Sequence, residues 1–306
     1  MKSAKYAGII YALLAAIFNG TVGVMSVKLF QAGLSSDEVA FYKCLIGLFI
    51  LLTIIICTGK LKQVIHFAKS KWLVGLICAF FGFFMLYHFE TKAYTTTKVS
   101  IVVFVLFGSA TIFSFLLSAI TEKRLLLFKE IVTIILSICG LYMIFTQDGG
   151  MNIQFNEGLI SAIIAGFGYG GFLFLSRKLR FGAGIPQMFI LLFFGSVYLF
   201  IPFEKNVDIY SLDVWNITLL VLLAVLPTIG GFWCTTKALT LTSSQSVQLI
   251  ELSEPIFTII FSLLLLGQQP TWIQIAGGSL IFASIFIHEF NIIERLVSQG
   301  YFKNPI

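Results

Sequence analysis

Long apolar stretches separated by short polar connections run through the whole chain. A helix needs about 20 mostly apolar residues to cross the hydrocarbon core of a bilayer. The pattern predicts such helices near 6–28, 38–58, 72–91, 99–120, 126–146, 157–176, 185–203, 214–236, 244–266 and 272–290. Gly, Pro, Asn or Asp mark many of the connections between them. We therefore predict an all-α membrane protein with ten transmembrane helices.

Two parts of the sequence repeat each other. Eight residues of the first predicted helix recur 150 positions later, as Gly8/Gly158, Ile10/Ile160, Ala12/Ala162, Ala15/Ala165, Gly20/Gly170, Ser26/Ser176, Lys28/Lys178 and Leu29/Leu179. A second echo matches Thr91-Lys92-Ala93 to Thr236-Lys237-Ala238. This predicts two five-helix repeats, over 1–147 and 157–290, with a short cytoplasmic tail over 291–306. Because five is odd, the second repeat is inverted in the membrane, an arrangement typical of secondary transporters.

The composition excludes a soluble globular domain. Hydrophobic residues make up 58% of the chain and charged residues 11%, with a mean hydropathy of +0.98, whereas soluble domains carry about 25% charged residues. The net charge of +6 does not indicate a nucleic-acid partner, because the lysines are scattered between apolar segments. The predicted partners are the lipid bilayer and a small-molecule substrate.

The basic residues predict the orientation of the chain. With the N-terminus in the cytoplasm, 15 of the 20 Lys and Arg fall in cytoplasmic segments and four in external loops, as the positive-inside rule requires. The external loops instead hold acidic residues, namely Asp37, Glu38, Asp148, Glu204, Asp208 and Asp213. We predict an integral multi-pass protein of the cytoplasmic (inner) membrane with both termini in the cytoplasm.

The sequence lacks the patterns that catalysis or a metal site would need. The three histidines, His66, His88 and His288, lie in no H-E-x-x-H arrangement. The five cysteines form no C-x-x-C pair, and no Walker-type phosphate loop occurs. We predict no enzymatic activity, no cofactor and no metal.

Several short motifs occur in a recognisable order. The second half contains Glu254-Pro255, then Leu265-Leu266-Gly267, then Gly277-Gly278-Ser279-Leu280-Ile281. The first half contains Lys43 in the second predicted helix and Glu122-Lys123-Arg124 before the fifth. With these motifs and ten helices, the chain resembles the EamA-type branch of the drug/metabolite transporter superfamily over about 6–290. It departs from the family pattern at Gln268, where Glu is usual, and at Ser109-Ala110, where a proline is frequent.

The resemblance implies a carrier of small metabolites, often amino acids or related compounds, frequently moved outward. Two carboxylates with nearby lysines suit a zwitterion, although a cation would also fit the glutamates. We therefore predict a secondary transporter that exports amino acids or related zwitterions or cations by alternating access. A lipid flippase or an uptake facilitator of the same fold is the alternative. We expect a monomer or a weak dimer, because the chain already contains its pseudosymmetric partner.

Glutamates in the ninth predicted helix are the principal candidates for transport chemistry. A charge at bilayer depth costs at least about 2.5 kcal/mol and therefore faces a cavity or a partner. Gln248, Glu251 and Pro255 share one helical stripe, which predicts that it lines the substrate path. A glutamate there would exchange protons or pair with a substrate amine. For Glu254, a purely structural bond to a neighbouring helix is the alternative.

Two further residues have alternative interpretations. Lys43 could bind a substrate carboxylate, but snorkelling toward the outer interface or pairing with an internal glutamate is the favoured interpretation. His88 could relay protons, since its charge changes near neutral pH. A histidine near an interface is more often a hydrogen-bonded surface residue.

Corresponding positions of the two halves also carry polar side chains beside glycine. Asn19 precedes Gly20, and Tyr169 precedes Gly170. Glycine permits local unwinding of a helix, which at matching places in two halves points to a transport site. Tight helix packing is the alternative. The predicted substrate-binding residues are Asn19, Tyr87, Tyr169, Trp233, Gln248 and Glu251.

Overall fold

The described part of the chain is entirely helical and contains no strand. The computed structural model describes residues 2–145, 156–204, 212–241, 250–251 and 253–289. The helices of the first half are α1 (Lys2–Asn19), α2 (Val22–Gln31), α3 (Ser36–Cys57), α4 (Leu61–Ala79), α5 (Phe89–Ala93), α6 (Val99–Glu122) and α7 (Phe128–Phe145). Those of the second half are α8 (Glu157–Lys178), α9 (Ile185–Phe200), α10 (Val214–Leu223), α11 (Phe232–Leu241), α12 (Glu254–Leu266) and α13 (Trp272–Glu289).

Among the described residues, six segments are long and apolar enough to cross a membrane. They are Tyr6–Gln31, Ser36–Cys57, Leu61–Ala93, Val99–Glu122, Glu157–Lys178 and Val214–Ala238. Three shorter apolar helices also occur, over Ile185–Phe200, Glu254–Leu266 and Trp272–Ser284. These helices confirm a multi-pass membrane protein. The count of ten spans, the inversion of the second half and the boundaries of the two repeats stay predictions, and the predicted tail over 291–306 lies outside the described residues.

Two segments have π-helical instead of α-helical geometry. The first π segment, Phe80–His88, joins α4 to α5, and the second π segment, Ala224–Gly231, joins α10 to α11. Pro227 lies inside the second and has no N–H to donate to the carbonyl four residues earlier. The Thr228 hydroxyl donates to that carbonyl, Leu223 O, at 2.9 Å. The π geometry directs the N–H of Thr228 to the same carbonyl, so that the threonine hydroxyl is a second donor beside the proline.

Small residues bring the two halves into close contact along α6 and α8. A Cβ atom on Gly166 would overlap the Ser109 hydroxyl and lie 2.5 Å from Leu106 O. A Cβ atom on Gly170 would lie 2.5 Å from Ala110 O. Glycine is therefore required at both positions of α8, because the backbones approach too closely for any side chain. Ser109 and Ala110, where the sequence departs from the family pattern, are the small residues that receive these glycines.

Candidate functional site

A small cavity of about 40 Å³ lies between the two halves of the chain. Both π segments and eight of the helices contribute to its wall. The residues that line this central cavity are Asn19, Val22, Lys43, Leu86, Tyr87, Glu90, Leu106, Phe107, Tyr169, Pro227, Thr228, Phe232 and Glu254. Most of the lining is apolar or aromatic, with a few polar and charged groups, the composition expected of a small-molecule site.

Three charged side chains converge on the central cavity and are almost completely buried. Lys43 is 1% exposed, Glu90 7% and Glu254 9%. The Lys43 ammonium donates to the Thr91 hydroxyl at 3.2 Å and lies 4.0 Å from the centroid of the Tyr87 ring. Two carboxylates and one ammonium therefore share a space from which water is largely excluded.

The start of α12 fixes the position of Glu254. Ser253 is the N-cap residue, and Pro255 occupies the first turn, where proline favours the start of a helix. Glu254 therefore lies at the positive end of the helix dipole, which stabilises a negative charge. The Asn19 side chain, at the end of α1, is within hydrogen-bonding reach of its carboxyl group. Glu254 is thus held at a helix start and directed into the cavity.

A second, larger cavity is open to the outside of the bundle. This open cleft has a volume of about 860 Å³. Its basic rim consists of Arg177, Lys178 and Arg180, at the end of α8 and in the turn that follows. Glu251 lines the same cleft but is only 2% exposed. Glu122 and Glu130 line the same cleft, which therefore leads from an entrance with charges of both signs to a buried carboxyl group.

A hydrogen-bonded group separates the open cleft from the central cavity. The Thr235 hydroxyl donates to Glu251 Oε1 at 2.6 Å, and the Tyr169 hydroxyl donates to Glu251 Oε2 at 3.3 Å. Tyr169 lines the central cavity, whereas Glu251 lines the cleft. The Tyr169–Glu251 contact is therefore the boundary between the two spaces.

At the end opposite the cleft, the two halves are linked by hydrogen bonds. The Gln268 side chain accepts from the backbone N–H of Val99 at 3.0 Å, and the Lys98 ammonium donates to the Gln269 carbonyl at 2.9 Å. The Thr97 hydroxyl donates to the Asn156 side chain at 3.1 Å. We call these contacts the opposite-end closure. They make this end of the bundle closed while the other end is open.

Five of the nine residues proposed from the sequence come together in the central cavity. They are Asn19, Lys43, Tyr87, Tyr169 and Glu254. Glu251 lies next to this group, in the open cleft. Gln248 lies outside the described residues. Lys43 is 1% exposed and therefore does not snorkel to the outer surface, whereas its pairing with an internal glutamate stays a prediction.

Trp233 and His88 lie elsewhere. Trp233 is 38% exposed and packs edge-on against Tyr11, with 5.6 Å between ring centroids, because the side chain points away from the cavity that Phe232 lines. His88 Nδ1 lies 2.9 Å from Asp37 Oδ1, and the ring stacks on Phe84. Neither residue lines the central cavity or the open cleft.

Glu90 is a cavity residue that the sequence reasoning did not select. It lies in the short helix α5, directly after the first π segment, and accepts from the Tyr94 hydroxyl at 2.8 Å. Its position immediately before the repeated Thr-Lys-Ala motif is the sequence signal that could have indicated a site residue. Its position near a predicted helix end made it resemble a surface residue. The π segment, which no periodicity indicated, determines that it points inward.

Comparison with known proteins gives two findings. The model of the EamA-like transporter family matches residues 6–146 and, a second time, residues 156–288. The chain is similar to a solved structure described as "Crystal structure of protein", with 16% identity and a TM-score of 0.64 over 97% of this chain and 99% of that chain. At this identity the likeness shows a shared fold alone. No curated protein matches the sequence.

Proposed function

Since this chain belongs to the EamA-like transporter family and is therefore a membrane transporter, we propose that it is a secondary carrier that exports small amine-bearing metabolites. The substrate class comprises amino acids and related zwitterions or cations. Transport proceeds by alternating access of a central site to the two sides of the cytoplasmic membrane. The active unit is a monomer with both termini in the cytoplasm.

The charge balance of the central cavity is the observation that carries this proposal. Glu90 and Glu254 contribute two carboxylates, and Lys43 contributes one ammonium. Buried charges of like sign are costly unless a partner compensates them. A substrate amine or a bound proton supplies the missing positive charge. The site therefore favours amines over anions as substrates.

The two cavities support alternating access. The open cleft lies at the end that carries Arg177, Lys178 and Arg180, which the positive-inside rule assigns to the cytoplasm. The opposite-end closure blocks the other side. In this arrangement a cytoplasmic substrate enters the cleft, meets Glu251 and reaches the central cavity when the Tyr169–Glu251 contact breaks.

The internal repeat supports an inverted pair of halves. The Thr-Lys-Ala motifs relate the two halves by 145 positions, and the same offset relates Tyr87 to Phe232. Both of these residues line the central cavity. Nearly the same offset of 145 positions also relates the first π segment to the second. Interruptions at matching places in two halves are expected where an inverted-repeat carrier binds its substrate.

Counterflow with purified protein tests the proposal. Proteoliposomes loaded with unlabelled amino acids, amines or nucleoside metabolites are diluted into the labelled compound. We expect saturable exchange of amine-bearing compounds and a loss of at least about 10-fold in Glu254→Gln, because a charge-assisted contact to the amine is removed.

Glu157→Gln is the matched control, since Glu157 is exposed in the first turn of α8 and lines neither cavity. Exchange confined to compounds without an amine would refute the substrate class. Unchanged exchange in folded Glu254→Gln would remove Glu254 from the site.

A further inference from the structure

Lys43 is a buried ammonium in the wall of a transport cavity. It lies in α3, is 1% exposed and lines the cavity together with Glu90 and Glu254. Burial of an ammonium is expensive, so a lysine persists at such a position only with compensating contacts or a function. Its surroundings therefore indicate what it can bind.

The contacts of the Lys43 ammonium leave part of its donor capacity free. An ammonium has three N–H donors. One donates to the Thr91 hydroxyl at 3.2 Å, and the Tyr87 ring lies 4.0 Å away as a cation–π partner. In the part of the chain that the structure describes, no carboxylate oxygen lies within 4.0 Å of Lys43 Nζ. The two glutamates of the cavity are near, but they do not form a salt bridge with it.

We propose that Lys43, held by Thr91 and Tyr87, is the subsite for the carboxylate of the substrate, so that the protein selects α-amino acids over simple amines. This inference rests on the proposed transport function and narrows its substrate class. The substrate ammonium binds on the side of Glu90 and Glu254, and its carboxylate binds Lys43. With such a zwitterion in place, the substrate ammonium pairs with the two carboxylates and the substrate carboxylate pairs with Lys43, while a bound proton balances the remaining negative charge.

The remaining lining defines the side chain of the amino acid. Leu86, Leu106, Phe107 and Phe232 contribute apolar surface to the same cavity. Apolar and aromatic walls bind apolar groups and exclude a further charge, which would be left unpaired. The lining therefore favours an amino acid with an apolar side chain, for which the cavity of about 40 Å³ must widen.

Three compounds with one side chain test this inference: leucine, leucinamide and 3-methylbutylamine. Only leucine carries a carboxylate. Their affinities are measured by competition against counterflow of labelled leucine and by the shift in Tm of the purified protein. For the wild type we expect leucine to bind about 10- to 100-fold more tightly than the other two, as a charge-assisted hydrogen bond of about 1.5–3 kcal/mol predicts.

Substitution of Lys43 removes this preference. In Lys43→Met, leucine should fall to the affinity of leucinamide, while the affinity for 3-methylbutylamine stays unchanged or rises. Lys43→Arg keeps the charge and should retain the preference. Lys62→Met is the matched control, because Lys62 is exposed and lines neither cavity.

The outcomes separate the inference from the function on which it rests. If the wild type binds 3-methylbutylamine as tightly as leucine, the carboxylate subsite is refuted and amine transport stands. If Lys43→Met loses affinity for all three compounds equally, Lys43 is only a structural counterion and the inference is again refuted. If none of the three compounds competes in the wild type and no amine exchanges, both the carboxylate subsite and the proposed function are refuted.

Discussion

Glu90, Glu251 and Glu254 are buried carboxyl groups with different neighbours. Tyr94 donates to Glu90, two hydroxyls donate to Glu251, and Asn19 lies beside Glu254. A buried carboxylate is stable only where donors or cations surround it. Glu251 and Glu254 are three positions apart but line different spaces. This separation suits different tasks for the two groups, proton exchange in the cleft and substrate binding in the cavity.

We predict that Glu251→Gln abolishes transport driven by a pH gradient and leaves counterflow within about two-fold of the wild type. A glutamine keeps the size of the side chain and can still accept one hydroxyl hydrogen bond, but it cannot take up and release a proton. Transport with and without a pH gradient, in the same proteoliposomes, gives the comparison. Normal dependence on the gradient in folded Glu251→Gln would refute a coupling role.

At the scale of elements, the unusual features are the two π segments. Each interrupts a helix that would otherwise cross the membrane continuously, and each contributes residues to the central cavity, Leu86 and Tyr87 in one and Pro227 and Thr228 in the other. π-helical geometry is less stable than α-helical geometry and recurs at functional sites. The first π segment leads into α5, whose Glu90 faces the cavity. The second leads into α11, whose Phe232 faces the same cavity.

The second π segment depends on the Thr228 hydroxyl. We predict that Thr228→Val lowers the free energy of unfolding by about 0.5–1.5 kcal/mol, because Leu223 O then loses one of its two donors in a buried place. Thermal unfolding in detergent measures the effect. Thr218→Val is the matched control, since the Thr218 hydroxyl donates to Val214 O on an exposed helix face, where the backbone already satisfies the carbonyl. Equal Tm values for the two variants would contradict this role.

At the scale of the whole molecule, one end of the bundle is open and the other is closed. The closure uses few contacts, and the hydrogen bond from Val99 N–H to Gln268 is made between the halves. Gln268 thus caps the start of α6 from across the interface and satisfies one of its unpaired N–H groups. This gives a structural role to the position at which the sequence departs from the family pattern. A few such bonds suit a closure that opens during the alternating access proposed above.

We predict that Gln268→Ala shifts the protein toward a state open at the opposite end. Loss of one hydrogen bond of about 1 kcal/mol changes the ratio of two states about five-fold. A cysteine at Val22, which lines the central cavity, reports the shift as faster labelling by an impermeant maleimide from outside, in a chain without its native cysteines.

Gln269→Ala is the control for this experiment. Gln269 contributes its backbone carbonyl to Lys98, and its side chain is exposed, so labelling should stay at the wild-type rate. If Gln268→Ala labels no faster than Gln269→Ala, Gln268 has no part in the closure.

The sequence by itself determined the class of protein, the region of the ninth-span glutamates and the relation between the halves. Hydropathy is a local property, because each membrane helix must satisfy its own backbone and bury its own apolar surface in lipid. Repeated residues are visible without coordinates. Asn19, Tyr169 and Glu254 could therefore be selected as site residues from their positions in the chain.

Only the tertiary structure decided which side chains meet. It buries Lys43 beside Tyr87, brings Glu90 into the cavity and turns Trp233 outward. These outcomes depend on helix rotation, and the π segments change that rotation without a hydropathy signal. The tertiary structure also decided that Glu251 and Glu254 line separate spaces, because Tyr169 packs between the two halves and contacts Glu251. Local composition determines that a helix enters the membrane, whereas long-range packing determines what each face of it meets.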